Sequence, residues 1–93
     1  MNETKKKSDL IKSEFYLKDG RLFKVRSGKE VISTPQKNGY EYVFVNGLKT
    51  STLKAKIVYA LYHGTYPHLV FHRDRNKLNC NIDNLTTRRN DCV

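Results

Sequence analysis

Tryptophan is absent from these 93 residues, methionine stands only at position 1, and proline and cysteine occur twice each. Two cysteines, Cys80 and Cys92, cannot build the disulfide framework that staples small secreted domains, so both read as free thiols suited to a reducing cytoplasm. The first ten residues, MNETKKKSDL, lack the apolar stretch a secretion signal needs. No apolar run is long enough to span a bilayer, and no basic helix with a bulky apolar face marks a membrane-surface element. Acidic residues are also scarce. Nine Asp and Glu face eighteen Lys and Arg, giving a formal net charge of +9 and an isoelectric point near 9.7. A domain this basic attracts polyanions, of which nucleic acid is the usual one; solubility alone is the blander account.

What is present suffices for one small domain with a limited core: 38% apolar residues, with six Tyr and four Phe. Residues 1–14 read as a basic segment free to flex, and 15–93 as a single domain. Lys5, Lys6 and Lys7 fit a solvated, frayed terminus better than an ordered phosphate contact, although residues 8–11 are compatible with a short helical turn.

Strand signals follow. Residues 15–17 and 21–25 flank Asp19-Gly20, a pair that tolerates the positive φ of a tight hairpin. Alternation sets Leu22 and Lys24 against Arg21, Phe23 and Val25. Residues 30–32 read as a short strand. Residues 40–45, rich in β-formers, lead into Asn46-Gly47, the best two-residue turn signal in the chain, with a short return strand from Leu48. Tyr40, Tyr42 and Phe44 share one face. They could stack on bases, but core packing is the better expectation in a chain with so little apolar material. Ser51 or Thr52 then caps a helix. Leu53, Ile57, Ala60 and Leu61 recur at helical spacing, as do Val58 and Tyr62, with Lys54 and Lys56 toward solvent. Gly64 fits a left-handed cap, and Pro67 follows where a helix does not readily resume.

The chemistry is concentrated in residues 63–87, HGTYPHLVFHRDRNKLNCNIDNLTT. This stretch holds all three histidines, His63, His68 and His72, and the asparagines 76, 79, 81 and 84 around one loop. With its lead-in, Asn38-Gly39-Tyr40, Asn46-Gly47 and residues 59–67, it resembles the HNH endonuclease family of phages and their mobile introns. The family pattern, Asp-His-x-Asp-Gly-Asn-x-x-Asn-Asn-x-x-x-Asn-Leu, is met by His72, Asp74, Asn76, Asn79, Asn84 and Leu85. The resemblance is clear over about residues 38–87. It implies a ββα-metal fold in which the acid before the histidine ligates a divalent ion, the histidine is the general base, and a following helix returns a second ligand.

The departures carry as much meaning. Phe71 stands where the metal-binding acid belongs, and a phenyl ring cannot ligate a hard cation. Arg75 replaces the turn glycine, Cys80 the second asparagine of the loop pair, and Ala55 a helix histidine, with Lys56 at the adjoining arginine position. The helix that would bear the second ligand is expected to be missing or reduced to a stub, with Asn90 a poor substitute. The resemblance so modified implies lost metal ligands and a retained histidine, His72, either a relic held in the loop or a residual general base. Asp74, Asn76, Asn79 and Asn84 would then structure the loop without a metal. A zinc set from His63, His68, Cys80 and Cys92 matches no common spacing. Arg73, Arg75, Lys77, Arg88 and Arg89, with Lys54 and Lys56 on the helix, are the expected phosphate contacts.

The expected fold is α+β: N-terminal β-hairpins, one central helix and a truncated ββα-metal-like C-terminal segment. The leading expectation is a non-catalytic, phage-encoded protein of the host cytoplasm, derived from an HNH endonuclease. It would bind DNA or RNA without a cofactor or block a host nucleic-acid enzyme. The alternatives are an active HNH nickase using Mg²⁺ or another divalent cation, and an inhibitor whose basic face meets a host protein.

Overall fold

The computed structural model describes residues 3–88 and residue 90. The architecture is α+β. In order come α1 (Glu3–Glu14), β1 (Phe15–Lys18), β2 (Arg21–Lys24), β3 (Tyr42–Val45), β4 (Thr50–Leu53), α2 (Lys54–His63), β5 (Phe71–His72) and β6 (Leu85–Thr86). Single-turn 3-10 helices span Asn46–Leu48 and Ile82–Asn84. The described strands form three antiparallel pairs, β1 with β2, β3 with β4, and β5 with β6.

The first hairpin forms as local chemistry dictates. Asp19 and Gly20 take φ of 53° and 77°, the left-handed pair of a tight turn. Leu17 faces Leu22 across the ladder. Leu22 turns into the core, while Phe23 stacks on Tyr16 at a ring separation of 5.4 Å. Residues 30–32 add a lone bridge, Phe23 to Glu30, rather than a strand. Val31 is buried and Ile32 is 89% exposed.

The second hairpin departs from its turn signal. Asn46-Gly47 is not a two-residue loop: Asn46–Leu48 forms a 3-10 turn, Lys49 takes the left-handed conformation, and the return strand starts at Thr50. The cause lies in α1. The Glu14 carboxylate accepts the backbone N–H of Asn46 at 2.9 Å and of Gly47 at 2.6 Å. A Cβ at Gly47 would lie 2.8 Å from Glu14 Oε2 and 2.9 Å from Leu10 Cδ2. Glycine here permits the close approach of these two side chains and is not required by a positive φ.

The face of β3 is also reversed. Val43 and Val45 are buried, whereas Phe44 is 55% exposed and Tyr40 and Tyr42 are half-buried. The sheet lays its β-branched face on α2 and turns the aromatic face outward. Ser51 and Thr52 do not cap α2. They pair within β4, opposite Phe44 and Val43. Leu53 precedes the helix without a side-chain cap, and the Lys54 N–H donates instead to the Glu41 carbonyl at 3.0 Å. At its other end α2 stops where expected, at Gly64 with φ 78°.

Residues 3–14 differ most from expectation. Instead of a frayed stretch, a twelve-residue helix forms. Ile11 is fully buried with Phe15, Leu22, Val43, Val45 and Ile57, and Ser8 Oγ donates to the Gly64 carbonyl at 3.1 Å. A second cluster, Ala55, Val58 and Leu85 with Val70, Cys80 and Ile82 against it, fixes the C-terminal segment to the opposite side of α2.

Candidate functional site

The segment after α2 contains little regular structure. β5 and β6 are two residues each, His72 facing Leu85 and Phe71 facing Thr86. The loop between them is held by side-chain amides, and Asp74 is its centre. Its Oδ1 accepts the Asn76 N–H at 2.8 Å and Asn84 Nδ2 at 2.9 Å, while Oδ2 accepts Asn79 Nδ2 at 3.0 Å. These donors favour the ionised form; Asn79 and Asn76 contribute most and hold the carboxyl below its ordinary value.

Asn84 is the buried partner. Its Oδ1 accepts the Asp74 N–H at 3.1 Å, its Nδ2 also donates to the Asn79 carbonyl at 2.9 Å, and its own carbonyl accepts the Arg73 N–H at 2.7 Å. Asn76, Asn79 and Asn81 each accept a backbone N–H two residues onward, three Asx turns in succession. Arg75, at the expected glycine position, sits at φ 62°, a left-handed conformation that costs a non-glycine residue about 1 kcal/mol.

His72 lies under this loop, 93% buried by a residual exposure of 7%. Its carbonyl accepts the Arg75 N–H, and its ring stands 6.0 Å from that of Tyr40. Among the described residues its Nε2 is the buried side-chain atom without a hydrogen-bond partner. Burial lowers its pKa; the Asp74 charge opposes that shift and the Lys77 charge adds to it. The imidazole is therefore neutral at pH 7 in the folded chain.

The unfolded chain takes up a proton near the ordinary value of about 6.5, which the folded chain resists. Stability complete above that value should fall as pH drops through the window below it. Denaturant midpoints measured from pH 7.5 to pH 5 should decline, and the decline should flatten in His72→Gln.

The expected cationic residues divide by their surroundings. Arg73, Arg75 and Arg88 are exposed. Lys77 donates to the Asn38 carbonyl at 2.9 Å and lies 4.7 Å over the Tyr40 ring. Lys54 faces the Glu41 carboxylate at 3.8 Å, so its charge is already answered within the fold. Lys56 stands 5.8 Å from the Tyr66 ring. Arg89 and Cys92 lie outside the described residues. Cys80 is a free thiol whose pKa burial raises, Lys54 lowers and Glu41 raises. His63 and His68 are exposed. The spacing of motif residues gave no hint of Glu14, which acts on the second hairpin from a distant sequence position.

Residues 54–90 match the family model described as HNH endonuclease. This segment belongs to the HNH family. The match covers α2, β5, the amide-held loop and β6, while α1 and the first two hairpins lie outside it. No curated protein and no solved structure matches the chain.

HNH chemistry implies a divalent cation, and the described residues do not fit one. Phe71 brings a ring to the position of the first ligand. Both Asp74 oxygens accept donors from the loop. Among the described residues no three His, Cys, Asp or Glu side chains come together as a ligand set. The second ligand of the HNH pattern would follow β6, largely outside the described residues; Asn90 is exposed. No described helix is long and apolar enough to cross a membrane.

Proposed function

We propose that this chain is a nucleic-acid-binding protein derived from an HNH endonuclease whose cleavage chemistry has lapsed. The observation that carries this reading is the contrast within one loop. The Asp74–Asn79–Asn84 network is complete, while the residue before His72 is Phe71. A scaffold kept for binding needs the first and not the second. Net charge of +9 supplies the attraction to phosphate. Arg73, Arg75 and Arg88, exposed on and beside the loop, are the leading contacts, and Arg89 is placed with them by sequence. On this reading the chain acts by occupying DNA or RNA and so excluding host enzymes. The resemblance to HNH nucleases of phages favours a phage genome as the source and the host cytoplasm as the site of action.

Buried His72 supports the same reading. A general base must reach the water it activates, and its Nε2 is closed off from solvent. Incubated with supercoiled plasmid and Mg²⁺ or Mn²⁺, the protein should retard the DNA on a gel yet leave it neither nicked nor linear. Metal-dependent nicking that disappears in His72→Ala would establish the active nuclease instead.

A further inference from the structure

Between Lys56 of α2 and Tyr66 of the loop that follows it lies a cleft of about 320 Å³, lined also by residues of α1 and β4. Lys7 Nζ stands 5.2 Å and Lys56 Nζ 5.8 Å from the centroid of the same Tyr66 ring. Both ammoniums are within cation–π range of one aromatic face or edge. The hydroxyl residues Thr50 and Ser51 lie exposed at the rim, and Tyr42 forms part of the wall.

Among the described residues no carboxylate lines the cleft. The ion pairs among the described residues are elsewhere, Arg21 with Glu30 and Lys54 with Glu41. Folding has thus brought two like charges, 49 positions apart in sequence, to one ring, and among the described residues neither forms an ion pair. Like charges in one concavity repel each other, and a ring quadrupole answers them only in part. An anion from outside completes the arrangement.

We propose that this cleft seats a backbone phosphate of a bound nucleic-acid strand, with Lys7 and Lys56 as paired cations, the rim hydroxyls as donors and Tyr66 as an apolar wall beside the sugar. The inference rests on the nucleic-acid reading above and adds a second contact surface to it. Lys7 lies outside the HNH-matched residues, so this site is a property of the N-terminal helix joined to the HNH segment. A phosphodiester suits it better than a carboxylate. Its oxygens diverge and can meet two ammoniums and a hydroxyl at once, and the sugar carries apolar surface for the ring.

The test is fluorescence anisotropy with a labelled duplex and its matching single strand across a salt series. Lys7→Gln/Lys56→Gln should weaken binding about tenfold and make the slope of log K against log salt shallower by about 1. Lys7→Arg/Lys56→Arg should restore both. In the unaltered protein, the Tyr66 ring resonances should shift as oligonucleotide is added. If the Gln pair binds with unchanged affinity and slope while Arg73→Gln/Arg75→Gln binds weakly, the cleft assignment is wrong and the nucleic-acid reading stands. An unmoved Tyr66 at saturating oligonucleotide likewise overturns the cleft assignment. Unaltered protein that binds neither strand at low salt overturns both. Thermal midpoints of the variants matching the parent show that any loss is one of contact and not of folding.

Discussion

Asn84→Ala is expected to lower the unfolding free energy by about 3 kcal/mol, since it deletes three side-chain hydrogen bonds worth roughly 1 kcal/mol each net and strands their partners. Asn84 Oδ1 holds the Asp74 N–H, and Nδ2 holds both Asp74 Oδ1 and the Asn79 carbonyl. The residue is about nine-tenths buried, so water does not easily substitute. A chain this size has a total stability of roughly 5–14 kcal/mol, and the loss is a large share of it. Urea unfolding followed by tyrosine fluorescence reads the change, and amide exchange should accelerate first across residues 73–85. Asn84→Asp keeps the shape but places a carboxylate against Asp74, and should be nearly as damaging. A loss under 1 kcal/mol for Asn84→Ala would mean that the loop is held by something other than this network.

Ile11→Ala should cost about 3 kcal/mol, the usual range for emptying a fully buried aliphatic site. The result decides whether α1 belongs to the folded core. Ile11 packs with residues from β1, β2, β3 and α2, so its loss opens a void at the centre of the larger cluster. A frayed terminus would lose nothing measurable. Ser8→Ala, which removes the bond to the Gly64 carbonyl, should add about 1 kcal/mol to that loss. Chemical denaturation of the two variants and their combination separates packing from hydrogen bonding.

Features set within a few residues were legible in the sequence. Asp19-Gly20 makes its turn because nothing else competes for it. Gly64 ends α2 because a left-handed residue is required there. The Asn and Asp residues of the loop form their turns largely among themselves. The HNH pattern itself was visible in His72, Asp74, Asn79 and Asn84. What failed depended on distant partners. Asn46-Gly47 carries the strongest hairpin signal, yet Glu14, more than thirty positions away, captures its amides and reshapes the connection. Alternation in β3 was clear, but the period alone could not say which face meets α2. The β-branched Val43 and Val45 took it, leaving Phe44 exposed. Ser51 and Thr52 looked like caps but were claimed by pairing with β3. The Lys7, Lys56 and Tyr66 arrangement had no linear signature, because its members meet only once α1 packs beside α2.

The tight seat of Gly47 against Leu10 and Glu14 constrains how this chain can diverge. A side chain at position 47 would meet the ends of both neighbouring side chains, so a replacement there obliges Leu10 and Glu14 to turn aside or to shrink. Shortening Glu14 alone would release two backbone amides and reward a different connection between β3 and β4. The three positions are therefore coupled, through contact and through the amide bonds of Glu14.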